Sequence, residues 1–226
     1  INGETVLLTF FPHPRMILHP DDDSLRLINT IEEKADRLAD SGIDHLIITP
    51  FTRDFSNQSA EEYIREILVS KIGTKRIIIG YDHHFGKDRK GSLVDLLKYA
   101  EQYHYTVQEI PEQDINDVAV SSTKIREALI IGEISTANKY LGYPFHITGK
   151  VIKGQQLGRT IGYPTANIEV PESYKLIPAY GIYAVEATII EQEEMSTGDY
   201  KPAVKGPQLK GMGYIGTRPT VKGINR

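Results

Sequence analysis

The sequence contains four clusters of residues whose types and spacing suit phosphate binding, and the first lies at positions 12–15. Pro12-His13-Pro14-Arg15 follows directly after an apolar run, Val6–Phe11. In an open parallel sheet, ligands bind beyond the carboxyl ends of the strands, where this cluster is expected to lie. The prolines stiffen the backbone around His13, and an imidazole beside a guanidinium can contact phosphate. The residues alone leave a rigid surface turn equally open.

The second cluster, Gly80–Gly91, also follows an apolar, strand-like run. Its glycines allow the backbone to approach a ligand closely, and three basic side chains lie among them. We interpret it as a phosphate-binding loop, with a solvated basic loop as the alternative. The adjacent His83 and His84 support a metal site only weakly, because no third ligand follows at a recognisable spacing.

The third cluster, Ser121-Ser122-Thr123-Lys124-Ile125-Arg126, opens a predicted helix. Serine and threonine commonly cap helices, so capping alone is one interpretation. Three consecutive hydroxyl groups exceed what one cap needs, and the N–H groups of a helix start attract anions. Together with Arg126, one turn further on, they favour an anion site at this helix start.

The fourth cluster, Gly154–Asn167, is rich in glycine but lacks the Gly-x-x-x-x-Gly-Lys-Ser/Thr pattern of a P-loop. Thr165 and Asn167 are two residues apart, so on an extended strand their side chains share a face. Hydroxyl and amide oxygens suit a hard cation such as Mg²⁺ that is held mainly by nucleotide phosphates. On spacing alone, a glycine-rich hairpin is the favoured interpretation.

The elements that position these clusters differ between two parts of the chain. In residues 1–142, unbroken apolar runs alternate with amphipathic helices, two of which begin at capping boxes, Thr30 with Glu33 and Ser59 with Glu62. Unbroken apolar runs indicate strands that are covered on both faces. This part is therefore predicted to be an open α/β domain with a parallel, Rossmann-like sheet. The predicted strands are 5–11, 43–51, 76–81 and 105–110.

From residue 143 the pattern changes to short strands with little helix between them. Such a pattern predicts a small antiparallel β-barrel. Gly142-Tyr143-Pro144 interrupts the helical pattern, so we place the domain boundary there, with residues 1–142 in the first domain and 143–226 in the second. The predicted strands of the second domain are 146–153, 163–170, 181–190, 200–204 and 211–215.

Composition excludes several classes of protein. The chain has 226 residues, no cysteine and a net charge of −4. Without cysteine there is no disulfide framework, thiolate zinc site or cysteine nucleophile, and no apolar run approaches the ~18 residues of a membrane span. The net charge argues against a general nucleic-acid binder. We expect a cytoplasmic protein. The net charge is −7 in residues 1–142 and +3 in residues 143–226, so we also expect two parts with different functions.

The four clusters occur in the order found in the bacterial bifunctional riboflavin kinase/FAD synthetase family, which this sequence resembles. The resemblance extends over nearly all 226 residues. Its most specific segment is Gly158–Asn167, and Gly216–Thr220 near the end adds a fifth motif.

The resemblance implies two ATP-dependent activities. The first domain would transfer AMP from ATP to FMN, giving FAD and pyrophosphate, and the second would phosphorylate riboflavin to FMN. Such transfers depend on positioning and charge neutralisation rather than on a nucleophilic side chain. The implied cofactor is Mg²⁺, and the implied partners are the small molecules ATP, riboflavin and FMN, without nucleic acid or membrane.

The family's site residues carry over by motif. His13 and Arg126 are implied to be catalytic in the adenylyltransferase. Its ATP and FMN site is further implied to include Pro12, Pro14, Gly80, Asp82, Phe85, Gly86, Arg89, Ser122 and Thr123. The kinase nucleotide site is implied to include Lys153, Gly158, Arg159 and Gly162, with Thr165 and Asn167 at Mg²⁺.

The sequence departs from the family pattern at both implied sites. Phe11 stands where the family usually has Asp, and His83 stands where it usually has an aromatic residue. The family's His-rich ATP-binding segment would precede Ile1, and its general-base Glu would follow Arg226. We therefore expect the chain, expressed as written, to be inactive in both reactions.

Three other functions are alternatives to this interpretation. A single-activity nucleotidyltransferase, acting on phosphopantetheine or a choline-type phosphate, is disfavoured by the second domain and its Pro164–Asn167 motif. A catalytically inactive flavin- or nucleotide-binding protein would lack the His-rich segment and the general-base Glu. A Rossmann dehydrogenase is disfavoured because no Gly-x-Gly-x-x-Gly follows a predicted strand.

Overall fold

The computed structural model of the chain describes residues 3–22, 24–111, 114–115, 118–154, 157–160, 162–191 and 204–217. The chain divides into two compact units. The first comprises Ile1–Ser122 and Ile147–Leu176, and the second comprises Thr123–His146 and Ile177–Arg226. The boundary near residue 142 stays a prediction.

The longer strands of the first 122 residues form parallel pairs. Strand β1 (Val6–Phe10) pairs in parallel with β2 (His45–Thr49). Strand β3 (Arg76–Gly80) pairs in the same way with β4 (Thr106–Ile110). The predicted α/β character of this part is confirmed. A short antiparallel pair follows, made by β5 (Asp114–Ile115) and β6 (Val118–Ala119).

Helices connect these strands, and local capping explains where the longest ones begin. The helices are α1 (Pro14–Leu18), α2 (Ile31–Asp40), α3 (Arg53–Ser56), α4 (Ala60–Glu62) and α5 (Leu93–Tyr103). Both predicted capping boxes are confirmed. At α2, the Glu33 N–H donates to Thr30 Oγ1 at 3.2 Å, and the Thr30 N–H donates to Glu33 Oε2 at 3.0 Å.

Helix α4 continues without a break into a π-helix, Tyr63–Lys71, which the sequence did not predict. The wider turn is seen where the Ile72 N–H donates to Ile67 O at 3.1 Å. The Ser70 hydroxyl also donates to Arg65 O at 2.7 Å, five residues back. The π-helix presents Tyr63, Ile64 and Ile67 to the core.

The core of the first unit lies between this π-helix, β3 and α5. Leu96 of α5 is fully buried, and its carbonyl accepts the hydroxyl of buried Tyr105 at 2.6 Å. The hydrogen bond satisfies a phenol that would otherwise be desolvated without a partner. The buried residues of this core are Tyr63, Ile64, Ile67, Ile79, Phe85, Leu96 and Tyr105.

The remainder of the first unit comes from later in the chain. It contains β7 (Lys150–Ile152), α8 (Leu157–Thr160) and β8 (Asn167–Glu169), with β7 and β8 antiparallel. The predicted strand 163–170 is shorter than expected. The reason is local: Tyr163 donates its N–H to Gly158 O at 2.7 Å, and Pro164 has no N–H to donate to a neighbouring strand.

The second unit contains two helices and a long hairpin. The helices are α6 (Ser122–Ile130), which belongs to this unit from Thr123 onward, and α7 (Ile134–Leu141). The hairpin consists of β9 (Gly181–Glu191) and β10 (Val204–Ile215). Leu129 and Ala137, one from each helix, are completely buried. Helix α7 ends as predicted, because Gly142 adopts the left-handed conformation that terminates helices, with φ of 75°.

The prediction of separate strands at 200–204 and 211–215 is wrong for the described residues. Strand β10 runs continuously from Val204 to Ile215, and its register with β9 shifts between Lys205 and Gln208. That interval contains Pro207, which has no N–H to donate to β9. A β-bulge accommodates this residue, and the strand continues beyond it. Residues 200–203 lie outside the described part.

The sheets among the described residues contain two strands each, and a closed barrel is not seen among them. The expected barrel is therefore not confirmed. Within the described ranges, the helices are too short or too polar for any of them to cross a membrane.

Candidate functional site

The turn that carries His13 connects β1 to α1, as the first cluster predicted. His13 is the N-cap of α1, and its Nδ1 accepts the N–H of Arg15 at 3.2 Å. Pro14 occupies the first helical position, where a missing N–H costs no hydrogen bond. An acceptor at Nδ1 places the proton of a neutral imidazole on Nε2, so this nitrogen has the character of a donor to an anion.

Arg15, interpreted above as a phosphate contact, is paired with Asp22. Its Nε and a terminal nitrogen lie 2.9 and 2.6 Å from Asp22 Oδ2. Hydrogen bonds from Ser24, assisted by Arg15, lower the pKa of Asp22 to about 2. This ion pair was not predicted from the sequence, although Asp22 lies only seven positions after Arg15.

The loop from Gly80 to Gly91 is anchored in the core by Phe85. The ring of Phe85 is 8% exposed and lies 5.3 Å from the ring of Tyr63, centroid to centroid. Phe85 and Gly91 exchange both backbone hydrogen bonds, at 3.0 and 2.9 Å. A Cβ at Gly91 would lie 2.8 Å from the Phe85 ring, so the glycine is required for this closure. The implied ligand role of Phe85 stays a prediction.

The same loop is tied to the start of α4. The Lys87 N–H donates to Gln58 O at 2.7 Å, and a Cβ at Gly86 would lie 2.9 Å from the backbone nitrogen of Ala60. Gly86 also has a φ of 70°, which favours glycine. The glycines of this loop therefore bring its backbone against the protein itself.

Charged groups of this loop lie on its exposed side. His83 stacks on Phe85 with the ring centroids 6.2 Å apart. Desolvation, reinforced by Arg89, lowers the pKa of His83, while Asp82 opposes the shift. His83 is therefore uncharged at neutral pH, and Asp82 and Arg89 are close enough to act on it. In the part of the chain that is described, no three His, Asp or Glu side chains form a metal-binding group.

Helix α6 begins at Ser122, inside the third cluster. Ser122 and Thr123 are exposed in its first turn, and Arg126 is half-buried one turn later. Exposed hydroxyls and N–H groups at the start of a nine-residue helix fit the predicted anion site. Thr123 and Arg126 belong to the second compact unit.

The fourth cluster folds back on itself around α8. The close approach of Tyr163 to Gly158 would be blocked by a Cβ at Gly158, which would overlap Tyr163 O. The same Cβ would lie 3.3 Å from Thr165 Cγ2, so Gly158 and Thr165 are neighbours. Gly162 turns the chain with a φ of 82°. Lys153 and Arg159 are exposed on the same segment.

The structure brings Asn167 beside Gly154. Asn167 is the first residue of β8 and lies opposite Ile152 in β7. A Cβ at Gly154 would overlap the Asn167 amide, so the glycine leaves the space that the amide occupies. Thr165 precedes the strand, so of the two residues only Asn167 lies in β8; the shared face stays a prediction.

Thr165 and Asn167 fit Mg²⁺ by the chemistry of their donors. A hydroxyl and an amide oxygen are hard ligands, and Gly158 and Gly154 leave the room that the Thr165 and Asn167 side chains occupy. Such a pair would complete a cation site together with nucleotide phosphates.

Of the fifth motif, Gly216 and Thr217 are described, and Thr217 O accepts a hydrogen bond from the Tyr214 hydroxyl at 2.8 Å. Residues 218–220 lie outside the described part.

Two family models match the chain in succession. The FAD synthetase model matches residues 2–124, and the riboflavin kinase model matches residues 141–226. The first match contains the His13 turn and the Gly80–Gly91 loop. The second match contains the segment from Lys153 to Asn167.

Curated relatives are bifunctional riboflavin kinase/FMN adenylyltransferases. The protein from Escherichia coli is 35% identical over 225 residues, covering 100% of this chain and 66% of its own length. The protein from Listeria monocytogenes is 39% identical over 183 residues, covering 81% of this chain and 57% of its own. That from Buchnera aphidicola is 40% identical, covering 80% and 58%. The chain thus spans less than two thirds of the length of these relatives.

A solved structure shares the fold. It is described as a macrolide-efflux protein from Streptococcus pneumoniae and superposes with a TM-score of 0.72 at 27% identity, covering 95% of this chain and 71% of its own. Since the FAD synthetase model alone matches more than half of the sequence and the relatives agree with it, the chain belongs to the FAD synthetase family, with a riboflavin kinase match in its later part.

Proposed function

We propose that the complete protein makes both flavin cofactors, phosphorylating riboflavin to FMN and then transferring AMP from ATP to FMN to give FAD and pyrophosphate. The observation that carries this proposal is the succession of FAD synthetase and riboflavin kinase matches along one chain. Each match contains a glycine-rich loop with charged or hydroxyl side chains beside it.

The domains of the proposed enzyme are a Rossmann-like nucleotidyltransferase, residues 1–142, and a riboflavin kinase barrel, residues 143–226. The two parallel strand pairs support the first assignment. The β9–β10 hairpin and the β7–β8 pair are antiparallel, as the strands of the barrel would be.

In the adenylyltransferase, His13 and Arg126 act on ATP. An imidazole held by its Nδ1 in one orientation presents Nε2–H to a phosphate oxygen, and a guanidinium neutralises charge as pyrophosphate departs. The exposed hydroxyls of Ser122 and Thr123 would hold phosphates at the helix start. The remaining assigned residues, which line the ATP and FMN site in this proposal, are Pro12, Pro14, Gly80, Asp82, Phe85, Gly86 and Arg89.

In the kinase, the 153–167 segment holds the nucleotide. Gly158 and Gly162 let the backbone approach the phosphates, while Lys153 and Arg159 supply positive charge. Thr165 and Asn167 would hold Mg²⁺, which when bound with the nucleotide neutralises phosphate charge. The chain itself positions the Thr165 and Asn167 side chains, because Gly158 and Gly154 leave room for them.

The proposed partners are the small molecules ATP, riboflavin and FMN, in the cytoplasm. A net charge of −4 offers little attraction to nucleic acid. Zero cysteine suits a reducing compartment.

The proposal is tested with the complete protein, riboflavin, ATP and Mg²⁺, separating riboflavin, FMN and FAD by chromatography. A second reaction begins from FMN and measures pyrophosphate together with FAD. Omission of Mg²⁺ in the presence of chelator is the control. We expect FMN to form from riboflavin, and FAD and pyrophosphate to form in equal amounts from FMN.

Other outcomes would contradict the proposal in distinguishable ways. FAD formed only from supplied FMN would indicate a single-activity adenylyltransferase. Flavin binding without either product would indicate an inactive binding protein.

A further inference from the structure

A short segment of the riboflavin kinase match, Tyr174–Leu176, is built into the region that precedes α2. The Leu27 N–H donates to Tyr174 O at 2.7 Å, and the Leu176 N–H donates to Leu27 O at 2.8 Å. Leu176 is 1% exposed. Two backbone hydrogen bonds flanking one residue form a parallel bridge between Leu27 and Lys175, so the segment is held in one register.

A buried ion pair anchors the same segment. Lys175 Nζ lies 2.5 Å from Glu33 Oε2 and also donates to Ile28 O at 2.6 Å. The Lys175 and Glu33 side chains are 0% and 3% exposed. Burial lowers the pKa of Lys175, and Glu33 opposes that shift. A displacement of the segment would leave buried charges unpaired, which is costly, so the pair resists movement.

Glu33 joins residues from both matches. Its Oε2 completes the capping box of α2, and its Oε1 accepts the N–H of Thr148 at 3.0 Å. One carboxylate therefore serves the helix start, Thr148 and Lys175 at once. Glu33 and Lys175 are 142 residues apart in the sequence.

Tyr174, next to this anchor, contacts the residue that leads into the His13 turn. Its ring centroid lies 5.5 Å from that of Phe11, at an angle of 59°. Burial raises the pKa of the Tyr174 hydroxyl, and the nearby Ile31 backbone opposes that shift. Phe11 extends β1 by donating its N–H to Thr49 O at 3.1 Å, and Pro12 and His13 follow at once. The position of the Phe11 ring therefore influences the path of the backbone from β1 into the turn that carries His13.

We propose that Tyr174 is a positioning residue for the adenylyltransferase site, holding Phe11 and through it the His13 turn. The riboflavin kinase match thereby supplies part of the support of the other active site. This inference rests on the proposed function for its activity readout. Phe11, which departs from the family pattern, gains a role as the partner of the Tyr174 ring.

The test measures FAD formation from FMN and ATP in the complete protein. The variants are Tyr174→Ala, Phe11→Ala and the double variant, with Tyr174→Phe and the 73%-exposed Tyr180→Ala as controls. Since a small displacement at a reacting centre can cost about 100-fold, we expect each single truncation to lower kcat about tenfold. KM for FMN should change less than twofold, the double variant should be no worse than either single one, and both controls should match the wild type.

A second readout does not depend on activity. In histidine-labelled protein, the His13 ring resonances, assigned with His13→Gln, should shift in Tyr174→Ala and Phe11→Ala and stay unchanged in both controls. If the wild type makes no FAD while these shifts occur, the proposed function fails and the positioning role stands. Unmoved His13 resonances, or additive losses of kcat in the double variant, would overturn the positioning role. If Tyr174→Ala does not fold, Tyr174→Leu replaces it in both experiments.

Discussion

The two glycine-rich loops of the first unit are stabilised in different ways. The Gly80–Gly91 loop is anchored by the buried ring of Phe85, which packs against Tyr63 in the core. The described side chains of the 154–167 segment are largely exposed, and the segment closes where the Asn167 amide approaches Gly154 and Tyr163 O approaches Gly158. The first loop therefore combines a buried ring with closely packed glycines, whereas the second depends on close approaches at its glycines without a buried ring.

This difference has a consequence for experiments. Truncation of a buried ring removes apolar contacts and leaves a cavity, so it acts mainly on stability. Addition of one methyl group to an exposed loop displaces the neighbouring amide or carbonyl, so it acts mainly on local geometry. The variants below separate these two kinds of effect.

Phe85→Ala should have the largest effect on stability. Truncation of a buried phenylalanine costs about 3–5 kcal/mol, so the denaturation midpoint should fall well below that of the wild type. Urea unfolding monitored by circular dichroism measures it. Tyr81→Ala, at a side chain that is 50% exposed on the same loop, is the matched control. A Phe85→Ala protein as stable as this control would show that the loop is not anchored by its ring.

Arg126→Ala tests the proposed role of Arg126 in FAD synthesis. Loss of a charged hydrogen bond to phosphate in a partly desolvated site costs about 2–4 kcal/mol, or roughly 30- to 1000-fold in kcat/KM for FAD synthesis. Riboflavin phosphorylation should be unchanged. Arg126→Lys keeps the charge but loses the planar fork of donors, so it should recover only part of the rate. Unchanged kinetics for ATP in Arg126→Ala would exclude the assigned role.

Gly154→Ala tests the second loop directly. The added Cβ would overlap the Asn167 amide, and displacement of a positioned group by about 1 Å can cost about 100-fold in rate. We expect riboflavin phosphorylation to fall by about that factor, with thermal stability and FAD synthesis almost unchanged. Gly211→Ala is the matched control, since its Cβ would make only an ordinary contact, 3.8 Å from Val185 Cγ2. Normal kinase activity in Gly154→Ala would show that riboflavin phosphorylation does not require Asn167 in this position.

Asp22→Asn should have the smallest effect and a defined pH dependence. The pKa of Asp22 is lowered to about 2, mainly by Ser24, so its contribution to stability is complete above the unfolded value near 3.8 and is lost as the pH falls through about 2. The Asp22 side chain is 27% exposed and its partner Arg15 is 50% exposed, so water screens the interaction and the contribution is small. Urea midpoints of wild type and variant should differ slightly at pH 7 and converge between pH 4 and pH 2. A constant difference across this range would contradict the assignment.

Sequence reasoning succeeded where a few neighbouring residues decide the structure. The capping box of Thr30 and Glu33 needs only residues three apart, and the helix end at Gly142 needs only one residue that tolerates a positive φ. The parallel strands β1 to β4 were recognisable from their unbroken apolar sequences. The expectation that they are covered on both faces is not met by all of their side chains, since Ile48 is 45% exposed and Ile78 is 60% exposed.

It failed where distant or subtle contacts decide. The pairing of Glu33 with Lys175 spans 142 residues, and neither residue lies in a pattern that marks it as buried. Pro207 lies between the predicted strands 200–204 and 211–215, whereas β10 continues through it with a shift of register. At the candidate site, the predicted strand 163–170 was too long: β8 is Asn167–Glu169, so Thr165 precedes it.

The most direct test of two separate activities on one chain is Asn167→Asp in the complete protein, with each step assayed alone. A carboxylate in place of the amide changes the charge at the proposed Mg²⁺ position without adding bulk. We expect FMN formation from riboflavin to be abolished and FAD formation from supplied FMN to remain within about twofold of the wild type, since additivity holds for independent sites. Equal loss of both activities in a folded variant would contradict the two-site account.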